Sequence, residues 1–199
     1  MDDIKEVEDA LKELENMGAG NASKVMSELI NKEVKLVVPK IKIVDKSNIV
    51  SIVGGPESMV VCMYSSISGD LSGNVIIAFQ KEEAFKLIDL LSDKDIGSTS
   101  ILEDEGKKHL EEAGKILIKP YLDPLSEFLD INVHGGNVRV ISTFGRSLSD
   151  FLLLNVNEEN TLLITTNFSV PDANISGDFA FLLAFSSIQK LINAIKTKL

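Results

Sequence analysis

Two stretches of this 199-residue chain follow one plan, and this repetition is the strongest constraint on the fold. Each stretch opens with an amphipathic helix, continues with several strands, and closes with a glycine-preceded strand and another helix. The two closing strands align at Gly73 and Gly177. A repeat of roughly 100 residues is too long for a solenoid and favours a duplicated domain with pseudo-twofold symmetry.

The first copy covers about residues 1–91, the polar segment 92–100 connects the copies, and the second covers about 101–199. The first copy predicts a helix at 3–31, strands at 34–44, 59–65 and 72–79, and a helix at 82–91. The second predicts a helix at 101–119, which Pro120 and Pro124 should break or restart, strands at 137–142, 150–156, 161–169 and 176–185, and a helix from Ser187.

Helices that alternate with groups of strands favour a mixed α/β (α+β) layered sandwich with some antiparallel pairing. Each copy alone would leave one face of its sheet uncovered. We therefore expect residues 1–199 to form a single domain with one fused core.

Composition excludes several classes of protein. The hydrophobic fraction of 44% is sufficient for a folded core, and no apolar run approaches the roughly 20 residues of a membrane span. The N-terminal segment is acidic and lacks the apolar stretch of a signal peptide, so a cytoplasmic location is expected. The net charge of −10 disfavours nucleic acid as a partner. Cys62 is the single cysteine, which excludes an internal disulfide, and its apolar neighbours predict a buried thiol.

The first helix carries the clearest functional pattern. On a helical wheel Asp9, Glu13 and Asn16 fall at about 0°, 40° and −20°. Apolar residues and Gly18 fall on the opposite side. The helix can therefore bury one side and present two acids and an amide to a partner. The alternative is an ordinary amphipathic surface helix whose polar residues are merely solvated.

These residues and Pro39 form the frame D-x3-E-x2-N-x22-P, and residues 18–22 have the sequence G-A-G-N-A. The frame resembles the active-site signature of the CheC/CheX/FliY family of chemotaxis response-regulator phosphatases. Members of that family have an internally duplicated fold. They hydrolyse the phosphoaspartate of a CheY-like response regulator, so the resemblance implies such a regulator as partner.

The resemblance also implies roles for two side chains. Glu13 would form a salt bridge to a lysine of the regulator, and Asn16 would hold the attacking water in line with phosphorus. An amide suits this task because it both donates and accepts hydrogen bonds without charge. No cofactor or metal is expected on this chain, because the regulator would carry the Mg²⁺. The receptor deamidase CheD, which CheC proteins bind, is a further possible partner.

Three other residues of the frame and its surroundings have supporting roles. Asp9 is expected either to contact or steer the partner, or to be a solvated acid near a helix N-terminus. Gly20 lies at about 20° on the wheel, where a side chain would obstruct a docking partner. Pro39 is expected to fix an edge strand or a bulge and to have no chemical role.

The second copy departs from the signature. The matching residues are Lys108, Glu112 and Lys115, with Val138 at the proline position, so only the glutamate is retained. The two lysines are spaced to pair with Glu112 along the helix. A lysine can donate to a water molecule but cannot accept from it. We therefore predict a single active site, although CheC proteins often carry two.

The remaining signals are weak. His109 and His134 belong to no metal-ligand cluster and are expected to be structural. The chain contains no P-loop, no dinucleotide-binding glycine motif and no H-E-x-x-H. The alternative function is a non-catalytic binding module, either a CheD-binding adaptor or a component like the flagellar switch protein FliM.

Overall fold

A computed structural model describes residues 2–45, 55–154 and 160–198, with side chains at 9–37, 55–148, 150–151 and 162–198. The helices are α1 (Asp2–Ile30), α2 (Lys81–Leu91), α3 (Asp104–Leu129), α4 (Gly145–Leu154) and α5 (Phe185–Lys198). The strands are β1 (Lys35–Asp45), β2 (Met59–Gly69), β3 (Gly73–Gln80), β4 (Val133–Gly135), β5 (Arg139–Phe144), β6 (Asn160–Val170) and β7 (Ile175–Ala184).

The described strands form one seven-stranded sheet in the order β1-β6-β7-β3-β2-β4, and β5 also pairs with β2. Their pairings are antiparallel. The copies exchange strands: β1 of the first pairs with β6 of the second, and β5 of the second pairs with β2 of the first. The closing strands β3 and β7 meet in the middle. The predicted mixed α/β fold with antiparallel pairing is confirmed.

The two faces of the sheet bury different sets of side chains, because successive residues of a strand point to opposite sides. In β2, Val61 and Met63 join the core beneath α1, α2, α3 and α5. Val60 and Cys62 lie on the other face, where Leu148 of α4 packs. The thiol of Cys62 is buried, as predicted. Helix α1, which carries the candidate residues Glu13 and Asn16, therefore belongs to the helical layer on this face of the sheet.

Helices α1 and α3 approach each other closely at Gly18. A β-carbon on Gly18 would lie 2.6 Å from the backbone oxygen of Tyr121. Tyr121 is itself held by contacts with the sheet: its ring stacks on Phe179 with centroids 4.6 Å apart, and its hydroxyl lies 2.9 Å from Oγ1 of Thr166. Since no larger residue fits at this position, the glycine sets the distance between the two helices.

Helix α3 continues through both prolines, contrary to the predicted break. A proline inside a helix removes one hydrogen bond and costs about 3 kcal/mol. Leu117, Tyr121 and Leu125, which lie before, between and after the prolines, are all buried. Burial of this continuous apolar stripe outweighs the local cost, and the helix ends only at Leu129.

The predicted strand at 150–156 is also wrong. Residues up to Leu154 belong to helix α4, and the remainder lies outside the described residues. A short apolar run fits a buried strand and a buried helix equally well. Here the run belongs to a helix that packs Leu148 and Phe151 against the second face of the sheet. Strand β4, which contains His134, lies outside the predicted strands and pairs with the end of β2.

The two glycines of α1 give opposite expectations for stability. Gly18→Ala should destabilise the protein by about 1–2 kcal/mol, because the new methyl group would overlap the backbone of Tyr121. Gly20→Ala is the matched control: no atom lies within 4 Å of a β-carbon there, and alanine should stabilise the helix by up to about 1 kcal/mol. Urea unfolding followed by circular dichroism measures both, and equal effects would contradict the close contact.

Candidate functional site

The outer face of α1 presents the two residues singled out by the frame. Glu13 and Asn16 are both exposed, whereas Leu11 and Leu14 are only 4% and 2% exposed. The two polar residues are three positions apart, which corresponds to about 4.5 Å along the helix axis. The structure therefore places the carboxylate and the amide side by side on a helix whose other face is buried, as the helical wheel predicted.

Two further residues extend this surface. Met17 is half exposed although it is apolar, and Gly20 is exposed with open space around it. Glu13, Asn16, Met17 and Gly20 are called the α1 face below. Its combination of one charge, one amide, one apolar side chain and one bare backbone position suits contact with another protein.

Asp9 lies at the N-terminal end of the α1 face and has a partner on its own helix. Its Oδ1 atom is 3.7 Å from Nζ of Lys12, and both side chains are about half exposed or more. An exposed pair of this kind contributes little to stability. Asp9 can therefore exchange Lys12 for another cation at small cost.

Pro39 lies in β1, at the edge of the sheet. The register between β1 and β6 shifts between Val37 and Lys40, so the proline falls at an irregularity of an edge strand. Proline has no backbone N–H to contribute to a ladder, and such positions tolerate it best. This placement agrees with the predicted structural role.

The corresponding surface of the second copy is basic. Lys108, Glu112 and Lys115 are all exposed on α3. The predicted pairing of Glu112 with these lysines is not formed. Within the described part of α3, the ion pairs instead join Lys107 to Asp104 at 3.0 Å and Lys119 to Asp123 at 2.9 Å.

A cleft of about 540 Å³ lies beside α3, and Lys115, Val138 and His134 contribute to its walls. His134 is exposed and His109 is half-buried. Among the residues with described side chains, no three His, Cys, Asp or Glu residues are grouped so that they could hold a metal ion. Among the described helices, none has the length and apolar character needed to span a membrane.

The main residue that the sequence reasoning missed is Glu15, which lies between Glu13 and Asn16 in sequence. It is only 1% exposed, and neither carboxyl oxygen has a hydrogen bond of normal geometry. The Tyr121 hydroxyl is near enough to interact with the carboxyl but forms its hydrogen bond with Thr166. Burial raises the pKa of Glu15 to about 7, and the interaction with Tyr121 opposes this rise only in part. On the helical wheel Glu15 falls at about 240°, within the apolar side, and this was the available signal.

Comparison with known proteins gives an independent view of the chain. Residues 6–43 match the model of the CheC-like family. A relative from Bacillus subtilis (strain 168), named CheY-P phosphatase CheC, is 28% identical over 98% of this chain and 97% of its own length. The resemblance to the CheC-like family is confirmed. The segment that matches the family model contains all four positions of the frame, from Asp9 to Pro39.

Solved structures support the same fold. FliY of Thermotoga maritima superposes with a TM-score of 0.80 at 15% identity, over 98% of both chains. A chain of the CheX–CheY–BeF3–Mg²⁺ complex from Borrelia burgdorferi superposes with a TM-score of 0.58 at 15% identity, over 85% of this chain and 96% of that one. At these identities the likeness shows that the CheC-like fold is shared.

The buried carboxyl should make stability depend on pH. The pKa of Glu15 is about 7 in the folded protein and 4.5 as its ordinary value, so folding favours the protonated form. The contribution of Glu15 to stability is therefore fully present below pH 4.5 and is lost as pH rises through 7. The loss corresponds to about 3 kcal/mol.

Urea unfolding of the wild type and of Glu15→Gln at pH 5 and pH 8 measures this dependence. The wild type should lose about 2.5 kcal/mol more than the variant between these pH values, because pH 5 already lies slightly above the ordinary pKa of the carboxyl. Glu28→Gln, which changes an exposed glutamate of the same helix, should behave like the wild type. An equal pH dependence of the wild type and Glu15→Gln would show that Glu15 is not the titrating group.

Proposed function

We propose that this protein is a phosphatase that hydrolyses the phosphoaspartate of a CheY-like response regulator, with the α1 face as its docking surface. The observation that carries the proposal is the exposed pair Glu13 and Asn16 on a helix whose opposite face is buried. Two comparisons support it: the full-length relative is named a CheY-P phosphatase, and one structural neighbour comes from a complex with CheY.

Asn16 is proposed to order the attacking water. Phosphoryl transfer has a loose transition state that leaves little covalent chemistry for a protein to do, so the position of the nucleophile matters most. The amide oxygen accepts a hydrogen bond from water, and the amide nitrogen donates to the phosphoryl group. Water then forms the new bond to phosphorus while the bond to the aspartyl oxygen breaks, which yields inorganic phosphate and a free aspartate. A carboxylate at this position would repel the phosphoryl oxygens.

Glu13 is proposed to anchor the regulator through a lysine. The glutamate is exposed one helical turn before Asn16, so it can pair with a cation while Asn16 reaches the acyl phosphate. The net charge of −10 favours encounter with a cationic patch. The Mg²⁺ used in the reaction would be carried by the regulator.

The second copy is proposed to have no hydrolytic role. Lys115 stands at the position of the amide, and Lys108 adds a second exposed positive charge on the same helix. A regulator lysine that approached this surface would meet like charges, which destabilise such a contact.

The alternative is a binding module without catalysis, such as an adaptor or a FliM-like switch component. A purely structural module does not require an amide beside the anchoring carboxylate. The name of the full-length relative favours the enzyme instead. Binding of CheD stays a prediction.

Substitution of Asn16 tests the mechanism. Asn16→Ala should slow dephosphorylation of a phosphorylated CheY-like regulator at least tenfold, since ordering of a nucleophile accounts for several kcal/mol of a barrier. Binding should be retained, because Glu13 is unchanged. Lys115→Ala at the matching position of α3 is the control and should leave the rate unchanged. Turnover by Asn16→Ala at the wild-type rate would refute the mechanism.

Substitution of Gly20 by residues of different size tests the docking surface. Gly20→Trp should raise the KM for the phosphorylated regulator at least tenfold, because a large side chain would stand on the α1 face where the partner must approach. Gly20→Ala should change KM much less, and both variants should remain folded since the position is open. The same KM for both variants would place the docking surface elsewhere.

A further inference from the structure

Glu15 connects the α1 face to the interior of the protein. It follows Glu13 by two positions and immediately precedes Asn16, yet its side chain lies in the opposite direction and is buried. Glu15 interacts with Tyr121 of α3, and Tyr121 is hydrogen-bonded to Thr166 of β6. A chain of three polar groups therefore joins the site-bearing helix, its neighbouring helix and the sheet.

The second copy has no such group. The alignment that pairs Asn16 with Lys115 pairs Glu15 with Gly114. There, a β-carbon would already lie 2.8 Å from Cγ1 of Val138 and 3.3 Å from Sδ of Met63. The copy that carries both the glutamate and the amide thus encloses a carboxyl, whereas the copy with a lysine in place of the amide has a closely packed glycine at the matching position.

The surroundings of Glu15 contain little that could neutralise it. The titratable group that interacts with its carboxyl is Tyr121. On α1 itself, Lys12 and Glu13 are exposed. Strand β6 has no titratable residue within 162–170.

Most charged residues on the other elements packed against α1 are exposed or hydrogen-bonded elsewhere. On α3, Lys115 and Lys119 are exposed, and on α5 Lys190 is exposed. On α2, Asp89 is buried but accepts hydrogen bonds from the backbone of residues 97–99, and Glu83 is half-buried. On β1, Lys35 is exposed and pairs with Glu33. A negative charge on Glu15 would thus be buried without a cation among the described side chains.

We propose that Glu15 is a positioning residue that makes the presentation of Glu13 and Asn16 depend on pH. While the carboxyl is neutral, it fits the contact between α1 and α3, and Gly18 stays seated against the backbone of Tyr121. When the carboxyl loses its proton, a buried and uncompensated charge favours movement of this turn of α1 toward water. Because Glu13 and Asn16 belong to the same turn, they move with it. The activity arm of the test rests on the proposed phosphatase function, whereas the structural arm does not.

The structural arm follows Asn16 directly. In ¹⁵N-labelled protein the side-chain amide signal of Asn16, identified by its loss in Asn16→Ala, is recorded between pH 5.5 and 8.5. The signal should shift with a midpoint near pH 7 in the wild type and in the exposed-residue control Glu28→Gln. It should not shift in Glu15→Gln. A shift of the same size in Glu15→Gln, or no shift in the wild type, would overturn the proposal.

The activity arm compares pH profiles of regulator dephosphorylation, corrected for decay of the regulator alone. A group that titrates near pH 7 goes from about nine-tenths to about one-tenth protonated between pH 6 and pH 8. The rate of the wild type relative to Glu15→Gln should therefore fall about tenfold over this span. Glu28→Gln should follow the wild type. A constant ratio of wild type to Glu15→Gln would leave Glu15 as a buried core residue without a positioning role.

The two arms separate failure of this proposal from failure of the proposed function. If Asn16→Ala is as active as the wild type, the hydrolytic mechanism fails, and the amide signal still decides whether Glu15 controls the α1 face. If Asn16→Ala is inactive and Glu15→Gln has the wild-type pH profile, the mechanism stands and the positioning role is refuted.

Discussion

The contact between α1 and α3 at Gly18 is the constraint on which the rest of the molecule depends. The backbone of one helix lies so close to the backbone of the other that no side chain fits between them. Tyr121, which forms the far side of this contact, is fixed in turn by an aromatic cluster and by Thr166 of the sheet. Packing against the core thereby fixes the rotation of α1 about its axis, and this rotation determines which of its residues face outward.

The strand exchange between the two copies extends the effect of this helix contact to the whole sheet. Each copy contributes strands to both ends of the sheet, and the two closing strands pair at its centre. Because α1, α2, α3 and α5 pack on the same face, a helix can fill its packing role without the polar signature on its outer surface. Helix α3 illustrates this: it has a continuous buried stripe across two prolines, while its outer surface is basic.

Sequence reasoning succeeded where one period governed a long segment. In α1 the apolar and polar positions repeat every 3.6 residues over several turns, so both the buried side and the exposed pair Glu13 and Asn16 could be assigned. It failed where local preference and tertiary burial disagreed. Pro120 and Pro124 indicated the end of a helix, but burial of the apolar stripe keeps α3 continuous. The apolar residues 150–154 fitted a strand as well as the helix that they form. Glu15 was missed because its type suggests solvent while its position on the wheel suggests the core.

By itself the sequence determined the duplication, the alternation of helices and strands, and the spacing of an acid and an amide on one helical face, because these are properties of period and residue type. Only the tertiary structure decided which strands of the two copies pair, that α3 remains continuous, and that a glutamate is enclosed beneath the site. These features depend on contacts between residues far apart in the chain, and their energies, from burial and from desolvation, exceed the local preferences that can be seen in sequence.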